Sequence, residues 1–285
     1  MSLPSKPLAF LYEIRPLPML ATLLSAVLGA IYGGLHAVNY PLLGYLAAVF
    51  AALYCGHLID SLIDYHHRGE KKFVYMGIFE DSGGILSARA LTIAATLASL
   101  TFVVMVMLIT SFGTILFWVA FCGWVIAVTY SPLLDKNPFT VSIAYPLGTT
   151  LAMIGGYLLT GANNPNLLMA LTLPIFLYLI GGKVVSDLID YKDDIRIGKH
   201  TVVVVLSPNK GRLFGYFICS LGLTVAFFDW YVHLLPPFSV FGVCAASLLL
   251  ITSYCWRSSR SVLVLVGGGY VFLAFVIASL LAHHL

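Results

Sequence analysis

Nine apolar runs, each close to the length of a bilayer crossing, follow one another through this chain and leave little room for anything but membrane helices. They lie near 16–35, 42–63, 90–109, 113–130, 141–160, 168–190, 213–232, 238–256 and 262–282. A bilayer core about 30 Å thick takes roughly 20 apolar residues as a helix. Inside hydrocarbon, a helix satisfies its own backbone polar groups. Composition agrees: 60% of residues are hydrophobic, 9% are charged and mean hydropathy is +0.97, whereas a soluble domain carries about 25% charged residues. A transmembrane barrel would alternate polar and apolar residues along shorter strands, which these runs do not do. The expectation is an all-α, multi-pass membrane protein, a single domain over residues 1–285 built as a bundle of nine transmembrane helices. A cleavable signal peptide is not expected, because Glu13, Arg15 and nearby prolines interrupt the first runs of sequence.

The basic residues orient the bundle. With nine spans, all fifteen Lys and Arg residues fall on the side that holds the N-terminus. Cytoplasmic loops are enriched in Lys and Arg, so that side is expected to be cytoplasmic. Among the acids only Asp229 falls on the other face. The net charge of +3 therefore describes a polarised molecule, whose cationic face would attract anionic lipid headgroups or an anionic substrate. The five cysteines lie within or at the ends of apolar runs and form no C-x-x-C pair, so they read as small buried hydrophobes. No strand–Gly-loop–helix pattern for a nucleotide fold is present. Membrane lipids and small molecules are the expected partners, with no nucleic acid and no obligate protein partner.

The acids are few and clustered. Of twelve, seven lie in two segments: Asp60, Asp64 and Glu70 in the first, Asp187, Asp190, Asp193 and Asp194 in the second. Both segments contain the same four residues, Leu62-Ile63-Asp64-Tyr65 and Leu188-Ile189-Asp190-Tyr191. Asp60 and Asp64 are four apart, as are Asp190 and Asp194, so each pair shares a helical face. Each pair stands at a helix C-terminus, where a carboxylate is disfavoured by a few tenths to about 1 kcal/mol. Something positive must offset that. Clustered oxygen ligands suit a hard cation, Mg²⁺ above all, which takes one or two carboxylates and completes its shell with water and phosphate. Lys and Arg nearby would then hold phosphate oxygens. Lys183, one turn before Asp187, is placed to pair with it, and His57, one turn before Asp60, is within reach of that carboxylate. Asp193 falls outside the four-residue spacing and reads as solvated. The Gly pairs at 155–156 and 181–182 suit close helix packing.

These residues resemble the UbiA superfamily of intramembrane prenyltransferases, whose nine helices carry Asp-rich motifs on the second and sixth. Here the acidic segments close the second and sixth runs. Asp190 to Leu206, D-Y-K-D-D-I-R-I-G-K-H-T-V-V-V-V-L, resembles the family pattern of two Asp four apart, then G-K-x-T and an apolar run. Arg15-Pro16 matches an Arg-Pro pair at the entry to the first helix. Tyr130-Ser131-Pro132 with Lys136 is similar to the Tyr-Ser/Thr-Pro…Lys segment after the fourth. Gly83-Gly84-Ile85-Leu86-Ser87-Ala88-Arg89 resembles a G-x-L-S-x-R element of the menaquinone-pathway branch, the 1,4-dihydroxy-2-naphthoate prenyltransferases. The matches keep the family's order along almost the whole chain. The first acidic motif departs from it. If Asp60 and Asp64 are the family acids, Gly56 stands where Asn is expected and His57 replaces the next Asp. If Asp64 is the first acid, Asp60 replaces Asn and Glu70 is the distal acid.

The resemblance implies Mg²⁺-dependent transfer of a prenyl group from a polyprenyl diphosphate, with release of pyrophosphate, at the cytoplasmic end of the bundle. It implies Asp60, Asp64, Asp187, Asp190, Asp194 and, in the second register, Glu70 as metal ligands. Arg15, Lys136, Lys183 and Lys199 would bind substrate. Asp60, Asp64, Asp190, Asp194 and Tyr130 form the implied catalytic set, with Tyr130 facing the allylic cation; an aromatic face stabilises such a cation by roughly 0.5–2 kcal/mol. The implied acceptor is an aromatic quinone precursor. A glycerol-phosphate lipid, a haem or a chlorophyllide is an alternative acceptor, and a terpene cyclase or lyase of the same superfamily would use none. A transporter would place its binding groups nearer the bilayer midplane.

Overall fold

The computed structural model describes residues 10–11, 13–35, 37–68, 73–75, 79–81, 86–110, 114–256 and 261–283. In chain order the helices are α1 (Pro16–Tyr32), α2 (Tyr40–His66), α3 (Ala88–Ile109), α4 (Ile115–Leu133), α5 (Pro138–Leu159), α6 (Pro165–Ile197), the short α7 (Val202–Leu206), α8 (Pro208–Tyr231), α9 (Ser239–Cys255) and α10 (Ser261–His283). A 3₁₀ turn, Leu134–Lys136, follows α4. Between α2 and α3 a small antiparallel hairpin pairs β1 (Phe73–Tyr75) with β2 (Phe79–Asp81). Each apolar run falls on one helix, and the chain is a multi-pass helical membrane protein. Among the described residues, seven helices are long and apolar enough to cross a bilayer, whereas α1 and α9 are apolar but only 17 residues long.

Local chemistry sets the boundaries. Asn39, Asn137 and Asn164 cap α2, α5 and α6, each accepting a backbone N–H with its side-chain oxygen, and Pro138 and Pro165 follow at the first helical position. Loss of such a cap costs about 1 kcal/mol. The sixth apolar run stops within the acidic cluster, yet α6, 33 residues long in all, runs on to Ile197 and carries all four aspartates on helical backbone. It ends where Gly198 turns left-handed at φ 73 and the Lys199 N–H returns to the Asp194 carbonyl at 2.9 Å.

Small residues let the backbones meet. A Cβ on Gly29 would stand 2.0 Å from the Met153 carbonyl oxygen, and one on Gly156 would stand 2.0 Å from that of Ala26, so α1 and α5 cross in direct contact. Gly181 does the same for α6 against α8, where its Cβ would stand 2.4 Å from the Gly215 carbonyl oxygen. Gly182, expected to serve packing as well, instead borders open space in the centre of the bundle. With α1 to α6, α8 and α10 arranged around it, that space becomes a cavity.

Candidate active site

The cavity has a volume of about 340 Å³ and two chemical regions. Its walls are apolar, formed by side chains such as Tyr45, Phe102, Trp124, Ile175, Leu265 and Phe272. One end is polar. There Arg15, His57, Asp60, Tyr130, Lys183, Asp187, Asp190, Asp194 and Lys199 face the same space, drawn from the ends of α1, α2, α4 and α6 and the loop after α6.

The α2 end is a closed network of opposite charges. Arg15, just before α1, adopts φ 49, a left-handed conformation that costs a non-glycine residue about 1–2 kcal/mol. That turn directs its guanidinium to Asp60, with Nη1 2.6 Å from Oδ2, and Nη2 donates to Ser61 Oγ at 3.3 Å. Ser61 in turn donates to Glu13 Oε2 at 2.5 Å, and Ser131 Oγ donates to the other Asp60 oxygen. Asp64 is engaged on both oxygens: Arg68 Nη1 lies 2.9 Å from Oδ1, and Lys199 Nζ lies 2.8 Å from Oδ2. Arg68 also forks onto Asp135, with Nη2 2.9 Å from Oδ1, and donates to the Ser131 carbonyl at 3.1 Å. Burial works against the charge on Arg15 and Lys199, but Asp60 and Glu13 beside Arg15, and Asp60 and Asp64 beside Lys199, outweigh it and hold both bases above their ordinary pKa. For Arg68 the bond to Asp135 is the leading cause of the same upward shift.

The α6 end is open. Lys183 pairs with Asp187 one turn on, as the spacing predicts. The second oxygen of Asp187 is buried without a hydrogen-bond partner. Among the described residues, the carboxylates of Asp190 and Asp194 have no ion pair or hydrogen bond, although Asp194 is buried. Asp193 points away, half exposed and 3.1 Å from Arg196.

Of the residues singled out in the sequence, Asp60, Asp187, Asp190, Asp194, Tyr130, Arg15, Lys183 and Lys199 meet at the cavity. Asp64 lies behind this surface, only 2% exposed, and of its two cations Lys199 borders the cavity while Arg68 does not. Lys136 sits exposed on the 3₁₀ turn, outside the cavity lining. Glu70 lies outside the described residues. His57 does not bond Asp60; its Nδ1 is buried without a partner. Sequence reasoning missed Arg68, Asp135 and Glu13. A buried acid next to Lys136 had only its proximity to the Tyr130 segment as a signal, and nothing local marks Arg68 as its partner.

The donor chemistry fits a hard divalent cation. Among the described residues no three His, Cys, Asp or Glu side chains converge on one point, so such an ion would take one or two carboxylates and draw its remaining ligands from water and phosphate, the habit of Mg²⁺. The unpartnered oxygen of Asp187 and the free carboxylates of Asp190 and Asp194 are the oxygens available for it.

No family profile matches the sequence, and no curated protein sequence matches it. Solved structures do. A UbiA homolog from Archaeoglobus fulgidus bound to GPP and Mg²⁺ superposes with a TM-score of 0.69 at 17% identity, over 96% of this chain and 99% of that one. A digeranylgeranylglyceryl phosphate synthase gives 0.69 at 12% identity, over 96% and 98%. A UbiA homolog from Aeropyrum pernix K1, without ligand, gives 0.71 at 14% identity, over 91% and 97%. The chain shares the fold of these proteins over nearly its whole length.

Proposed function

We propose that the protein is an integral-membrane, Mg²⁺-dependent prenyltransferase that takes a polyprenyl diphosphate as donor and releases pyrophosphate. The observation that carries this reading is the meeting of Arg15, Lys183 and Lys199 with Asp60, Asp187, Asp190 and Asp194 at one end of an apolar cavity. A prenyl diphosphate has an anionic head and a hydrocarbon tail, and it needs those two environments side by side. The likeness in fold to a homolog bound to GPP and Mg²⁺ supports the same reading.

In this reading Asp187, Asp190 and Asp194 would supply the one or two carboxylates that hold Mg²⁺, while Asp60 orients Arg15 across from them; the bound ion would neutralise charge on the departing diphosphate. Arg15 and Lys199 supply fixed positive charge to the same oxygens, pre-oriented by their carboxylate partners. The allylic carbon–oxygen bond breaks with its electron pair leaving on pyrophosphate. Tyr130, at the boundary between polar end and apolar walls, offers its ring to the cation left behind. The walls keep water from that carbon until the acceptor forms the new bond and gives up its proton.

The reading extends to topology. All nine long helices cross the bilayer, with α1 and α9 at the lower limit of about 17 residues for a span, and the site and N-terminus face the cytoplasm, where the Lys and Arg residues gather. The acceptor is an aromatic quinone precursor, a reading that rests on the G-x-L-S-x-R resemblance at Gly83–Arg89. The likeness to digeranylgeranylglyceryl phosphate synthase favours a second acceptor, a glycerol-phosphate lipid. Pyrophosphate release from geranylgeranyl diphosphate, measured with Mg²⁺ or EDTA and with 1,4-dihydroxy-2-naphthoate, a glycerol-phosphate lipid or no acceptor, tests all of this. Release that needs both metal and one acceptor supports a transferase and identifies the acceptor class. Release without acceptor points to a cyclase or lyase. No release under any condition sinks the proposal.

A further inference from the structure

The charges at the α2 end continue past the cavity wall. Asp135 is buried on the 3₁₀ turn after α4 and is held by Arg68. Arg68 reaches Asp64, 2.9 Å away, and Asp64 holds Lys199 at 2.8 Å. Of these four alternating groups only Lys199 borders the cavity. The same guanidinium grips the Ser131 carbonyl at 3.1 Å, and the Ser131 hydroxyl holds Asp60.

Stability alone is a poor reason for such an arrangement, because the desolvation of buried ions roughly cancels their attraction. Its geometry has a clearer use. A lysine ammonium is a mobile point charge on a four-carbon stem, and it must be held to act at one place. Asp64 can hold Lys199 as a charged partner only if Arg68 does not claim it alone. Asp135 takes up that surplus charge, so Asp64 is shared between the two bases. We propose that Asp135 and Arg68 are positioning residues for diphosphate binding, which fix Lys199 through Asp64 and fix the Tyr130–Ser131 end of α4 against Asp60. This inference rests on the reading of the polar end as a diphosphate site.

The experiment is a double-mutant cycle on the full-length protein in detergent, with inorganic pyrophosphate and Mg²⁺ as the probe and calorimetric affinity as the readout. The paired change Asp135→Asn with Arg68→Gln removes both charges together and leaves neither ion orphaned. It should weaken pyrophosphate binding roughly tenfold, the low end of what a supporting partner one bond removed from a ligand contributes. Lys199→Gln should weaken it at least as much. Added to Lys199→Gln, the paired change should cost little more, because coupled residues are not additive. A full tenfold loss in the Lys199→Gln background, or no loss in the wild-type background, overturns the inference. If the paired variant does not fold, Arg68→Lys serves: it keeps one charge but cannot fork onto Asp64 and Asp135, so binding should fall several-fold, and unchanged binding overturns the inference. Pyrophosphate that fails to bind the wild-type protein overturns the diphosphate-site reading itself, and this inference with it.

Discussion

The segments Leu62–Tyr65 and Leu188–Tyr191 carry the same four residues at the ends of α2 and α6, yet their carboxylates meet opposite surroundings. At the α2 end every Asp60 and Asp64 oxygen has a donor, from Arg15, Ser131, Arg68 or Lys199. At the α6 end, among the described residues, Lys183 pairs with Asp187 alone, the other Asp187 oxygen is buried and unpartnered, and Asp190 and Asp194 face the cavity unpaired. A repeated motif therefore does not mean a repeated role. The saturated cluster holds cationic side chains in place, and the unsaturated one leaves carboxylate oxygens open, the ones that the proposed Mg²⁺ site would use.

Turnover should show the largest effects. Asp190→Ala and Asp194→Ala should each lower pyrophosphate release by on the order of 10³-fold, as expected when stabilisation of developing charge is lost. Asp64→Ala should come close to that by releasing Lys199. Near wild-type rates in the α6 variants would place the metal elsewhere and dissolve the contrast between the clusters.

Stability should separate the two ends more sharply than activity does. Asp64→Asn leaves Arg68 and Lys199 partly buried without their shared anion, so unfolding in denaturant should become easier by about 3–5 kcal/mol. Asp190→Asn removes a charge that has no partner, so in metal-free buffer it should leave stability unchanged or raised. Equal losses at both positions would show that the α6 cluster is paired after all. Mg²⁺ with inorganic pyrophosphate should raise the thermal midpoint of the wild-type protein. The gain corresponds to about 2.7 kcal/mol at a ligand concentration a hundred times Kd. The gain should fall by about half in Asp64→Asn, where freeing Lys199 weakens binding roughly tenfold, and vanish in Asp190→Asn. The reverse pattern would exchange the roles of the clusters.

Two smaller effects sharpen the comparison. Gly198→Ala forces a side chain into the left-handed turn that ends α6 and should cost about 1–2 kcal/mol. It should also raise the donor KM, since the turn delivers Lys199 to Asp64. Asp229→Ala, on the opposite face, should leave turnover unchanged.

Much of this protein was legible in its sequence, and the misses share a cause. Helical spacing put Asp190 and Asp194 on one face and Lys183 beneath Asp187, because contacts one turn apart follow from the helix itself. The apolar run ends at 190, but the helix goes on through further charges to Ile197. Asp64 and Lys136 were both expected at the substrate, and neither borders the cavity. Arg68 and Asp135 lie 67 positions apart, and no periodicity links them.

The sequence by itself determined a membrane-spanning helical chain, the position of each helix and the gathering of its acids at two helix ends, because hydrophobic run length and helical period are local properties. Only the tertiary structure decided which acids are neutralised and which stay open. Lys199 reaches Asp64 across 135 positions because Gly198 turns the chain where α6 ends and the long lysine stem spans the distance to the end of α2. A charge is stabilised by whatever lies within a few ångströms of it, and at that range the neighbours come from packing rather than from order along the chain.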